Sequence, residues 1–247
     1  MWSPTQYTKF KSERRQPFDD LLALVERRPR MRVIDLGCGP GELTRELHET
    51  LAASHTVGVD NSEAMLEKAG AFASEEVRFE YGDIATYTAS EKVDLIFSNA
   101  AFHWVMDHER LFVHIREQLA PRGQIAVQMP ANDSHASHRI AAEVAAKFDI
   151  PARPDPLLEL TLYAKLLHAL GFAKQHVRLQ VYGHVLPSSD DVVEWVRGAL
   201  LTHYEALLTP ERYAEFLALY RKRIAEELGD GRPYFYTYKR VLLWASL

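Results

Sequence analysis

Only one cysteine, Cys38, occurs in the 247 residues, so no disulfide can form within the chain and a reducing, cytoplasmic location is expected. Long apolar runs are missing too: no window reaches the ~20 residues that a membrane-crossing helix needs. The opening Met1-Trp2-Ser3-Pro4-Thr5-Gln6 lacks the basic-then-apolar layout of an export signal. Positive charge is not in excess. With 29 Lys and Arg against 34 Asp and Glu the net charge is −5, which gives no reason to expect nucleic acid or an anionic membrane as partner. Repeats and low-complexity tracts are absent. What remains is an ordinary globular composition, 47% hydrophobic and 26% charged, long enough for one large domain or a domain with a sizeable insertion.

Short β-branched runs alternate with helical periodicity through the first half, which predicts βα units and a parallel sheet. Apolar spacing predicts a helix over 15–28; strands are expected at Arg32–Leu36, Thr56–Asp60, Val77–Tyr81, Val93–Ser98 and Gln124–Met129. Helices should start at Pro40, after an Asn61 or Ser62 cap, and at Asp107. The second half reads as helices over 134–148 and 157–170, a strand near 174–185, two amphipathic helices within 188–228, and a closing strand Tyr234–Ala245. Residues 188–228 are therefore expected to form a helical cap inserted between the last two strands. The core is 1–187 with 229–247, and 1–28 is a helical lid.

Val33-Ile34-Asp35-Leu36-Gly37-Cys38-Gly39-Pro40-Gly41 carries the most chemistry. A buried strand ends in an acid and turns through three glycines, bringing bare backbone to the carboxyl end of a strand, where open α/β sheets bind ligands. The carboxylate of Asp35 suits a ligand with an ammonium group and repels a pyrophosphate. The third glycine also comes one position early for the dinucleotide pattern G-x-G-x-x-G. Asp60, nineteen residues after Gly41, ends the second strand and is placed to accept from both hydroxyls of a ribose. After the third strand, Asp83 can accept from an adenine amino group while Ile84 covers the ring. Asp94–Ala101 closes the fourth strand, where the reacting centre is expected.

Each residue also has a plainer reading. Asp60 and Asp83 could be helix or turn caps. Cys38 suits a small buried side chain better than a nucleophile. His135 and His138 share a helical spacing but have no evident third ligand, so no metal is expected. Arg221-Lys222-Arg223 reads as a solvated helix face.

Over residues 30–130 these motifs resemble the class I S-adenosylmethionine (SAM) methyltransferases. A narrower resemblance, to the trans-aconitate methyltransferases, is carried by Trp2-x-Pro4-x-x-Tyr7-x-x-Phe10, Glu13-Arg14 and Pro17. It continues in His103-Trp104-Val105-x-Asp107-His108, Ala126-Val127-Gln128-Met129-Pro130-x-Asn132, and Pro187-Ser188 with Glu194-Trp195-Val196-x-Gly198. The resemblance implies an α/β, Rossmann-like sheet with helices on both faces. It also implies SAM as cofactor and methyl transfer to a carboxylate of a small polycarboxylic acid, giving a monomethyl ester.

The cofactor residues then expected are Tyr7, Arg14, Asp35, Gly37, Gly39, Gly41, Asp60, Asn61, Met65, Asp83, Ile84, Asn99 and Ala100. His103 and Trp104 are expected at the reacting centre as positioning groups. Arg197, His184, His203, Tyr204 and Tyr236 are candidates for the carboxylates of the acid, arginine because its fork binds them bidentately. A carboxylate is already ionised at pH 7, so no general base is required. Three readings compete: the same chemistry on another acid, a carrier-bound carboxylate or a hydroxyl; a nicotinamide oxidoreductase, disfavoured by Asp35; and a non-catalytic SAM-binding regulator.

Overall fold

The computed structural model describes residues 11–151, 154–198 and 200–247, with side chains from residue 15 onward. The elements in order are α1 (Lys11–Leu22), β1 (Arg32–Leu36), α2 (Glu42–Leu51), β2 (His55–Asp60), α3 (Glu63–Ala69), β3 (Val77–Tyr81), β4 (Val93–Asn99) and α4 (His108–Glu117). They continue as β5 (Leu119–Pro130), α5 (Ala136–Ala146), α6 (Leu160–Ala169), β6 (Lys174–Leu186), α7 (Asp191–Arg197), α8 (Leu200–Leu207), α9 (Pro210–Leu228) and β7 (Tyr234–Ser246).

The strands form one seven-stranded sheet in the order β3-β2-β1-β4-β5-β7-β6. The neighbours from β3 through β5 run parallel, and β7 lies antiparallel to β5. The chain order reverses between β1 and β4, and such a switch point opens a crevice at the strands' carboxyl ends. The Rossmann-like expectation therefore holds.

Two compact units divide the chain. One comprises residues 17–130, 156–180 and 240–247. Its core includes Phe18, Leu21, Val33, Leu47, Phe97 and Leu242, with the Phe18 and Phe97 rings edge-to-face at 5.5 Å. The other gathers the described parts of 11–16, 131–155 and 181–239 around Ile140, Val144, Trp195, Phe216, Tyr220 and Tyr236. It is larger than the expected 188–228 segment because α5 packs on α9. The Tyr220 hydroxyl donates to the Ser137 carbonyl at 3.0 Å, and Arg223 pairs with Glu143 at 2.7 Å.

Several boundaries differ from the sequence reading. The first helix ends at Leu22, where bonds from Leu24 N to Leu21 O and from Val25 N to Leu22 O tighten it into a turn. Pro40 does not open α2; Gly41, with φ 81°, is its N-cap. Of the two expected caps of α3, Ser62 stands at the N-cap, but its hydroxyl makes no cap bond, and the Asp60 carboxylate accepts the Ser62 N–H. Asp107 does cap α4, accepting from Arg110 N at 2.9 Å. Strand β5 begins at Leu119, before the expected turn, and takes up the irregularity at Arg122, whose φ is 64°. Among the described residues, 188–228 hold three helices where two were expected, because Gly198 closes α7 and the Thr209 cap with Pro210 opens a new helix.

Candidate active site

The glycine turn after β1 has positive φ at Gly37, Gly39 and Gly41. At Gly37 a Cβ would lie 2.2 Å from the Ala101 Cβ and 3.3 Å from Ile84 Cδ1, so only glycine lets the loops after β1, β3 and β4 meet. At Gly39 nothing lies within 4 Å of that position, which leaves open space where the turn's backbone is bare. The turn is tied to β2: Gly37 and Cys38 both donate to the Val59 carbonyl, at 2.8 and 3.0 Å.

Asp60 holds this arrangement at its centre. One carboxylate oxygen accepts from Gly39 N and the other from Ser62 N, both at 2.9 Å. Each oxygen keeps a lone pair for further donors. Cap and ligand readings of Asp60 are thus compatible, because the bonds that orient the carboxylate do not exhaust it. Asp83 behaves alike: one oxygen accepts from Ala85 N at 2.8 Å in a local turn, and the residue is exposed. Asn61 is exposed and Met65 half-buried, both just past β2.

Asp35 is only 4% exposed, and one oxygen accepts from the Thr44 hydroxyl at 2.6 Å. Burial pushes its pKa up to about 7; the Thr44 hydrogen bond opposes this, and Asp60 adds a smaller upward push. The carboxylate is therefore poised to gain from a nearby cation. Thr44 escaped the sequence reading, although a threonine in the first turn of α2 was a visible cue. Burial also drives the Cys38 thiol upward, which leaves it an unreactive space-filling group.

At the end of β4, Asn99 is half-buried and Ala100 takes φ 57°, uncommon for a residue with a Cβ. Asn99 pairs in register with Gln128 of β5, whose Nε2 donates to Asn99 Oδ1 at 2.7 Å. Gln128 was not expected at the site; its signal was a lone amide inside the apolar run Ile125–Met129. The 3₁₀ turn Phe102–Trp104 follows, with the His103 and Trp104 rings 4.9 Å apart and Trp104 59% exposed. Buried His108 accepts the Tyr163 hydroxyl proton at Nδ1 (2.5 Å) and donates from Nε2 to the Phe102 carbonyl (3.0 Å), which anchors this turn. The tautomer follows from the carbonyl, which can only accept.

Among the other expected residues, Tyr7 lies outside the described residues, as does the Arg14 side chain. The helical unit brings His184 and Tyr236 together against Trp195, with ring centroids at 5.5 and 5.4 Å. Tyr204 packs tilted against Phe216 at 5.0 Å, and its neighbour His203 contacts it edge-on. Tyr204 and Tyr236 are buried in that unit's core. Arg197 lies 3.8 Å from Glu194, which also pairs with Arg221. Arg221 and Arg223 are thus half-buried ion-pair partners, and within the run only Lys222 matches the expected solvated face. His135 caps α5, its Nδ1 accepting from Ser137 N at 3.1 Å, and His138 sits beside the Ser137 hydroxyl. Among the described residues no cluster of three or more His, Cys, Asp or Glu could hold a metal ion, and no helix is long and apolar enough to cross a membrane.

Comparison with known proteins agrees with this geometry. Residues 27–166 match a methyltransferase domain family. The trans-aconitate 2-methyltransferase of Deinococcus radiodurans is 40% identical, covering 99% of this chain and 98% of that protein. The enzyme of the same name from Variovorax paradoxus is 38% identical over 90% and 88%. Among solved structures, a SAM-dependent methyltransferase from Mesorhizobium loti superposes with TM-score 0.55 at 22% identity, covering 96% of this chain and 100% of that one. A phosphoethanolamine N-methyltransferase from Haemonchus contortus in complex with SAM reaches 0.59 at 17%, covering 94% and 52%.

The residues fit SAM, the cofactor of this family. Open space beside Gly39 admits the ligand, oriented acceptors at Asp60 and Asp83 suit its ribose and adenine, and the buried Asp35 suits its positive charge. With this fold, this crevice and near-full-length relatives, the chain belongs to the class I SAM-dependent methyltransferases, in the family of the trans-aconitate 2-methyltransferases.

Proposed function

We propose that this protein methylates a carboxylate of trans-aconitate, a small polycarboxylic acid, giving the monomethyl ester. The likeness to enzymes of that name, 40% identical over 99% of the chain, carries this reading. When bound, SAM supplies an already activated methyl group. The protein's work is then to bind, to orient and to exclude water. Asp60, Asn61, Met65, Asp83 and Ile84 hold the nucleoside end; Asp35, the turn Gly37–Gly41, Asn99, Ala100, Tyr7 and Arg14 hold the amino-acid end. His103 and Trp104 orient the acid; Arg197, His184 and His203 are the candidates for its other carboxylates, whereas Tyr204 and Tyr236 pack in the core of their own unit.

An ionised carboxylate is its own nucleophile, so no residue needs to remove a proton. Holding its oxygen in line with the methyl group supplies roughly 7–11 kcal/mol of the barrier. A small acid needs no nucleic acid or membrane, and the lone buried cysteine supports placement in the cytoplasm.

The test is transfer of labelled methyl from SAM across a panel of di- and tricarboxylates. Preference for trans-aconitate, with an alkali-labile ester product, is expected. A methyl ether formed on a hydroxyl, or no transfer to any acid, would overturn the reading.

A further inference from the structure

We infer that Gln128 is a positioning residue that turns the Asn99 amide so that its NH2 presents a hydrogen-bond donor to a ligand carboxylate at the end of β4. This rests on the methyltransferase reading above and extends it to a residue outside the expected set.

Three observations carry the inference. Gln128 is 2% exposed, on the strand beside Asn99, and its Nε2 donates to Asn99 Oδ1 at 2.7 Å. That bond occupies the carbonyl end of Asn99, so the NH2 is left to face away from Gln128. Second, the side chain of the half-buried Asn99 makes no other hydrogen bond to the described residues, which leaves that NH2 available. Third, the inner oxygen of Gln128, Oε1, is buried without a partner. A leucine or methionine would fill the same place on β5 with no orphaned oxygen, so packing alone does not account for an amide here. The backbone is fixed as well: Ala100 N donates to the Gln128 carbonyl at 2.9 Å, and Ala100 is in the left-handed region. Asn99 therefore sits at the switch point, next to the loop that meets Gly37, with both side chain and backbone held by one residue.

A free NH2 at this position donates to an acceptor, and the anions the reaction brings are carboxylates. Two sources exist: the carboxylate of the cofactor's own amino-acid arm, and that of the acid. The chemistry is the same, and the variants below separate them.

Asn99→Asp keeps an acceptor for Gln128 but replaces the outward donor by a negative oxygen. Binding of S-adenosylhomocysteine is measured by titration calorimetry, and KM for trans-aconitate at saturating SAM. If the cofactor carboxylate is the ligand, affinity for S-adenosylhomocysteine falls at least tenfold, while the decarboxylated analogue binds wild type and variant alike. If the acid is the ligand, KM rises at least tenfold with the calorimetric affinity unchanged.

Gln128→Leu should reproduce the same selective loss with an unchanged melting temperature. Gln128→Glu should recover affinity relative to wild type as pH falls, because only a protonated glutamate can donate to Asn99. Less than twofold change in both quantities for Asn99→Asp and Gln128→Leu overturns the inference. Failure of the wild type to bind S-adenosylhomocysteine would instead overturn the methyltransferase reading.

Discussion

The carboxylate of Asp60 accepts the backbone N–H of Gly39 at 2.9 Å, so the last residue of β2 holds the tip of the turn that follows β1. Two neighbouring strand ends are thereby fixed in one geometry before any ligand arrives. Asp60→Ala removes this tie, the bond to Ser62 N and the acceptor proposed for a ribose at once. Charged hydrogen bonds contribute about 1.5–3 kcal/mol each, so S-adenosylhomocysteine affinity should fall on the order of 100-fold or more. Asp60→Asn keeps one acceptor and should fall between the two. Calorimetric titration of the three proteins checks the order.

Asp35 predicts an inverse link between stability and pH. Burial raises its folded pKa to about 7 from an ordinary 3.8, so the folded state holds a proton that the unfolded chain has released. The stability this proton confers is fully present below about pH 4 and is lost as pH rises toward 7, on the order of 4 kcal/mol. Asp35→Asn should therefore be more stable than wild type above pH 7, yet bind S-adenosylhomocysteine more weakly. Urea melts at pH 5 and pH 8 with calorimetry at pH 8 test both; a variant less stable at pH 8 would refute the claim.

Replacing His103 separates the acceptor classes. If the acceptor is a carboxylate, His103→Gln should keep kcat within about tenfold, because orientation changes but no proton has to move. Loss of 100-fold or more would indicate an acceptor that needs a base.

The His108–Tyr163 pair predicts a purely structural effect first. Tyr163→Phe leaves His108 Nδ1 without its donor in a buried setting and the half-buried Leu158 N without its acceptor. Destabilisation of about 1–3 kcal/mol is expected from urea denaturation.

Much of the first half was legible in the sequence because its signals are local. A β-branched run followed by Asp35 and three glycines fixes a strand and a turn within ten residues, and Asp60 and Asp83 close the next two strands in the same manner. The helical half was less legible. Three helices were read as two because amphipathic periodicity runs on across a two-residue break. The partners of Arg221 and Arg223 lie on α7 and α5, which no spacing reveals.

By itself, then, the sequence determined most of the order of strands and helices along the chain, the glycine turn and the acidic residues at or just past the ends of the first three strands, since each depends on neighbours in the chain. The tertiary structure decided what those groups are already bonded to. Asp35 is buried on Thr44, Asp60 is anchored on Gly39 and Ser62, and Asn99 is turned by Gln128. Charge and orientation at these sites depend on burial and on hydrogen bonds from separate strands and helices. Only the closing of the sheet around its switch point brings those partners within reach.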